Sequence, residues 1–141
     1  MIRSIVITLL LLLAFHSETR AQEQSKTDIN GNTYQWKDRE IKKLDQDGNL
    51  LFTWQKPSGG NISWVDPIDP FKILSYSSET NELIWLNNKL SPIGNSFDLS
   101  DLNIFEPLGL CASKDGGIWI LDGSSSKLIK LDKRYKTQIN V

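Results

Sequence analysis

Histidine occurs once in the 141 residues, at position 16, and cysteine once, at position 111. A single thiol forms no intramolecular disulfide, and one histidine beside one cysteine builds neither a Cys₂His₂ zinc site nor, once residues 1–21 are set aside, any histidine-dependent triad. An excess of one charge is missing too. The 16 basic residues are balanced by 17 acidic ones and form no basic stripe for a phosphate backbone, so nucleic acid is not an expected partner. Only one long apolar run exists, residues 5–15. It is well short of the roughly 20 residues that a helix needs to cross a bilayer. With Arg3 before it and a polar stretch ending in Thr19-Arg20-Ala21 after it, the run reads as a secretory signal peptide, residues 1–21, cleaved after Ala21. Cleavage removes His16, and the loss of Arg3, Glu18 and Arg20 takes the formal net charge from −1 to −2. No cysteine follows the run to carry a lipid, so the expected product is an exported chain, residues 22–141, without a stable membrane span. It would be periplasmic, extracellular or associated with the cell surface.

What remains repeats. "ILSYSSETNELIWL" (residues 73–86) and "IWILDGSSSKLIKL" (residues 118–131) share an apolar strand, a Ser-rich turn and a Leu-Ile-x-Leu ending, and "GNTYQWKDREIKKL" (residues 31–44) is a third copy. The alignment places Tyr34 beside Tyr76 and Leu121. The final leucines, Leu44, Leu86 and Leu131, are 42 and 45 residues apart, the period of a four-stranded propeller blade or of a helical repeat. Composition decides for strands, because short runs of Ile, Leu, Trp, Tyr and Phe alternate with Asp-Gly, Asn-Asn and Ser-Gly-Gly turns. The sequence predicts an all-β, β-propeller-like domain of about three four-stranded antiparallel units, spanning about 26–56, 61–100 and 106–141. Strands are expected at 26–29, 32–36, 40–45 and 49–54; at 61–65, 71–76, 82–87 and 93–99; and at 108–112, 117–122, 127–132 and 136–141. Three units are fewer than the roughly four to eight blades of a ring, so the ring is expected to be incomplete or open, with 136–141 as an exposed edge through which the chain self-associates.

The runs "INGNTYQWKDREIKKLDQDGNLLFTW" and "VDPIDPFKILSYSSETNELIWLNNKLSPIG" resemble a group of uncharacterised secreted bacterial proteins with β-propeller-like repeats. The resemblance implies fold and export, and carries no activity, ligand or residue role.

Candidate site residues are few. "LDQDGNLL" (residues 44–51) begins like a calcium loop, but the sixth and twelfth positions counted from Asp45 hold Leu50 and Lys56 where that loop needs Gly and a bidentate Glu, so a hairpin turn is expected. Of the five tryptophans, Trp36, Trp54, Trp64 and Trp119 are assigned to the core. Trp85 is set apart because lysines, Lys43 and Lys130, occupy its place in the other units, which suggests a position near solvent and a ligand-binding surface. Asp66 and Asp69 in "VDPIDP" are the nearest thing to a catalytic carboxylate pair, yet each precedes a proline and reads as part of a rigid loop. Asn61-Ile62-Ser63 spells a glycosylation acceptor inside an expected strand, and Cys111 is expected as a buried thiol. No catalytic residue, metal site or cofactor is assigned. The reading is a binding or scaffold protein with a protein or glycan partner. The alternatives are an extracytoplasmic carbohydrate-active enzyme using Asp or Glu and an edge-strand assembly subunit.

Overall fold

A computed structural model describes residues 22–141; the apolar run 5–15 and the cleavage point after Ala21 lie outside the described residues. Twelve strands form three antiparallel four-stranded sheets in chain order. The first holds β1 (Gln24–Thr27), β2 (Thr33–Lys37), β3 (Glu40–Leu44) and β4 (Leu50–Gln55). The second holds β5 (Trp64–Asp66), β6 (Ile73–Ser77), β7 (Glu82–Leu86) and β8 (Phe97–Asp98), the last leading into a 3₁₀ turn at Leu99–Leu102. The third holds β9 (Pro107–Ala112), β10 (Ile118–Asp122), β11 (Lys127–Leu131) and β12 (Thr137–Asn140). Among the described residues no helix is long and apolar enough to cross a membrane.

Each sheet is a run of hairpins closed by turn chemistry that the sequence spells out. Five connections share one turn, begun by Asp28, Asp45, Asn87, Ser113 and Asp132. In each, the amide of the first residue donates to the carbonyl four residues on, and the amide three residues on donates back. That fourth residue takes a positive φ, at Gly31, Gly48, Leu90, Gly116 and Tyr135. At four of the five the side-chain oxygen adds two amide bonds, as Asp45 Oδ1 does with Asp47 N at 2.9 Å and Asn49 N at 2.8 Å. Hydrogen bonds to amides therefore occupy Asp45, and no group of three or more His, Cys, Asp or Glu able to hold a metal occurs among the described residues. A Cβ added at Gly48 would meet nothing within 4 Å, so only its φ of +84° resists substitution. Gly48→Ala is expected to lower stability by roughly 1 kcal/mol, read from the urea midpoint; an unchanged midpoint would show that the turn is not held in this geometry.

The ladders correct the alignment of the first copy by two residues. β2 and β3 pair Thr33 with Leu44, whereas β6 and β7 pair Ile73 with Leu86, and β10 and β11 pair Ile118 with Leu131. Trp36, rather than Tyr34, therefore answers Tyr76 and Leu121, and Tyr34 answers Leu74 and Trp119. The cause is the hairpin: Asp38 and Arg39 connect the strands of the first sheet, while four residues connect them in the others. The fourth strand expected at 93–99 contracts to Phe97–Asp98 and a bridge between Leu86 and Pro92, because proline offers no ladder donor and Gly94 turns the chain at φ +73°. The inner strand expected at 61–65 starts only at Trp64, leaving Asn61 exposed ahead of it.

The second sheet is covered on both faces. Val65, Ile73 and Leu86 pack with Tyr34, Trp36, Ile41 and Trp54 of the first sheet, and Leu74, Tyr76, Leu83 and Trp85 pack with Leu110, Ile118, Ile120, Ile129 and Leu131 of the third. Successive side chains of a strand point to opposite faces, so apolar residues at both parities in β7 mark a strand buried on both sides. Lysines tie the sheets together: Lys43 Nζ donates to Asn88 O at 3.2 Å, and Lys72 Nζ donates to Gly116 O at 2.9 Å.

Candidate functional site

The loops from first to second strand of all three sheets meet around one cleft of about 870 Å³, lined by Ile29, Asn30, residues 68–71, residues 112–114 and Trp119. Its rim is apolar where turn chemistry calls for polar residues: Ile29 is 78% exposed, Ile68 60% and Phe71 68%. A carboxylate, Asp69, and an ammonium, Lys114, complete the rim.

Buried carboxylates shape the loops. Asp28 accepts the amides of Asn30 and Asn32, each at 2.9 Å, and the Tyr34 hydroxyl at 3.2 Å, which carries Ile29 outward. Burial pushes the Asp28 pKa up, but the Asn32 side chain, the two amides and the Tyr34 hydroxyl outweigh it, and the net shift is downward. Asp66 accepts Ile68 N at 3.2 Å on one oxygen and Ala112 N of the third sheet at 2.8 Å on the other. Asp69 accepts Phe71 N at 2.9 Å, so two rigid turns around Pro67 and Pro70 hold Ile68 and Phe71 out from the sheet. The two aspartates of "VDPIDP" are thus supports of the loop, with buried Asp66 spent on amides and Asp69 exposed beside the cleft.

Other sequence expectations are relocated. Trp85 is only 6% exposed, under the third sheet, with the Lys72 ammonium 4.2 Å from its ring centroid; the expected position near solvent is corrected, because the third sheet covers the face on which its lysine counterparts also lie. Cys111 is exposed, contrary to the buried thiol expected: it pairs with Trp119 in the β9–β10 ladder and points away from the second sheet. Burial and then the Asp66 charge raise its pKa, against the lowering effect of Lys26, so it remains a thiol at neutral pH. The residues that sequence reasoning missed are Ile29, Ile68 and Phe71; the signal available was large apolar side chains inside Asp-, Asn- and Pro-built turns.

The rim offers apolar surface with one charge of each sign, beside the polar side chains of Asn30 and Ser113.

No family model matches the chain, and no curated protein sequence matches it. Solved structures do. Virginiamycin B lyase from Staphylococcus aureus superposes with a TM-score of 0.63 at 12% identity, over 86% of this chain and 42% of that one. The Pan2 WD40 domain of Neurospora crassa gives 0.62 at 7% identity, over 91% and 40%. YCF48 bound to D1 peptide gives 0.56 at 12% identity, over 90% and 42%. The fold is an open β-propeller. The chain spans less than half the length of each of these propellers, and at such identities the likeness concerns the fold alone.

Proposed function

We propose that this chain is an exported binding module whose cleft holds a short peptide segment of a protein partner, with an apolar side chain seated among Ile29, Ile68, Phe71 and Trp119. The observation that carries this reading is the exposure of three large aliphatic or aromatic side chains on rigid turns around one opening, with Asp69 and Lys114 placed to meet backbone or charged groups. A peptide fits better than a glycan, since a sugar site needs several convergent polar groups and this rim has few. A propeller fold accommodates such a ligand, as YCF48 does D1 peptide. Export rests on residues 1–21 as a signal peptide.

The test is a paired screen against immobilised peptides and glycans. Apolar-containing peptides are expected to bind, and Phe71→Ala to weaken them about tenfold, the usual loss for one aromatic anchor, with the unfolding midpoint unmoved. Glycan binding alone, or peptide binding indifferent to Phe71→Ala, would refute the reading.

A further inference from the structure

The turns at the cleft end of the molecule differ in charge from sheet to sheet. In the first sheet they are 28–32 and 45–49, joined where Gln46 Nε2 donates to Asn30 O at 2.7 Å, and they carry three carboxylates, Asp28, Asp45 and Asp47, and no cation. In the third sheet they are 113–117 and 132–136, which carry four cations, Lys114, Lys133, Arg134 and Lys136, against two carboxylates, Asp115 and Asp132. Both of those carboxylates are already engaged. Asp115 pairs with Lys130 and accepts Gly117 N at 3.1 Å, while Asp132 Oδ1 accepts Arg134 N at 2.7 Å and Lys136 N at 2.9 Å. Lys114 and Lys133 are exposed, and neither has an ion-pair partner among the described residues.

The second sheet adds a cation on the same side. Lys72 Nζ donates to Gly116 O, and a Cβ built on Gly116 would lie 3.5 Å from that nitrogen and 4.0 Å from Lys133 Cβ, so Lys72 and Lys133 flank the turn that brings Lys114 to the cleft. The other charges at this end leave that excess in place. Lys26 lies against the Trp64 ring, 4.2 Å from its centroid, Lys43 is buried on Asn88 O, and Lys89 sits in the outer turn of the second sheet. Asp66 is buried on two amides. Asp69 is the one carboxylate among the residues that line the cleft, and Lys114 the one cation.

We propose that the peptide segment held in the cleft carries an acidic residue on one side of its apolar anchor, selected by Lys114 with Lys72 and Lys133 behind it; this rests on the cleft being a peptide site. With the anchor among Ile29, Ile68, Phe71 and Trp119, a flank laid over turn 113–117 meets ammonium groups that no carboxylate of the chain neutralises. A flank laid toward the turns of the first sheet meets Asp45 and Asp47 instead. Glutamate or aspartate is therefore favoured on the first side and disfavoured on the second, and lysine the reverse. Charges on a rim orient a ligand and speed its encounter more than they tighten it, and exposed pairs are weak and screened by salt. An ammonium is a compact point charge with three rotatable donors, so these lysines read the charge of the flank rather than one fixed carboxylate geometry.

The experiment is a fluorescence-anisotropy titration of the purified full chain against labelled peptides that place one Leu or Phe at the centre of a Gly-Ser background, with Glu, Gln or Lys on the N-terminal or the C-terminal flank. On one flank Glu is expected to bind about fivefold more tightly than Gln and Lys more weakly, a preference that falls below about twofold near 0.5 M salt. On the other flank Glu brings no gain. Lys114→Glu should turn the preference toward Lys, whereas Lys127→Gln, at the far end of the same ladder, leaves it unmoved. Equal binding of the Glu, Gln and Lys peptides, each still weakened by Phe71→Ala, overturns the acidic preference and leaves the peptide site standing. So does a Glu preference that appears on both flanks or survives Lys114→Glu. Binding by no peptide, or by polygalacturonate alone, overturns both.

Discussion

Leu83→Ala lowers the free energy of unfolding by roughly 3 kcal/mol, whereas Leu128→Ala at the equivalent register costs less than about 1 kcal/mol under dilute conditions. Both leucines open the third strand's outward pattern in their sheets, pairing with Tyr76 and Leu121 respectively. Propensity, ladder position and side chain are identical, so burial alone separates them. Leu83 is fully buried within the seam between the second and third sheets, and Leu128 is 41% exposed on the uncovered face. Truncating the first leaves a cavity in a packed interior, and truncating the second removes contacts that water already shares. Urea unfolding of the two variants measures the contrast directly. Equal losses would mean that the third sheet is covered in the monomer or that the second is not.

Glu82→Ala is expected to cost about 3 kcal/mol, because it strips the partner from a buried ammonium. Lys56 lies in the linker from the first sheet to the second, its side chain only 3% exposed, with Glu82 Oε2 at 3.1 Å, Thr80 Oγ1 at 3.4 Å and Gly60 O at 3.5 Å. Thr80 Oγ1 donates to the same carboxylate oxygen at 2.9 Å. Burial raises the Glu82 pKa, but the bonds from Lys56, Thr80 and Ser96 and the Lys56 charge outweigh it, so the carboxyl titrates below its ordinary 4.5. A pKa depressed in the folded state contributes stability that is fully present above about 4.5 and lost as pH falls through the lower folded value. The gap between the native chain and Glu82→Ala should therefore be constant at neutral pH and narrow in acid below 4.5. A gap that stays constant down to the folded-state titration would contradict the ion pair.

Much of the architecture was legible because the repeat puts the same chemistry at the same register. Leu86 and Leu131 close equivalent ladders, and the turns at Asp45, Asn87 and Asp132 share the hydrogen-bonding side chain and the positive-φ residue that the motif requires. Two things were hidden. Hairpin length is invisible to an alignment anchored on the final leucines, so the two-residue turn at Asp38 and Arg39 displaced Tyr34 from its true counterparts. Burial depends on which neighbour lies over a face, and a strand pattern cannot say that. Trp85 shares its register with Lys43 and Lys130, yet it is covered; Cys111 sits in an apolar strand, yet it faces outward. The cleft was missed for a related reason. Ile29, Ile68 and Phe71 belong to loops of separate units, and only the stacking of three sheets brings those loops together.

Amide hydrogen exchange tests most directly whether one sheet is sandwiched between two others. The amides paired between β6 and β7, residues 73–77 and 82–86, are expected to exchange slowest and only through global unfolding, while β1 and β12 exchange through local opening. Exchange in the second sheet as fast as at those outer strands would contradict the stacked arrangement on which every other inference about this molecule rests.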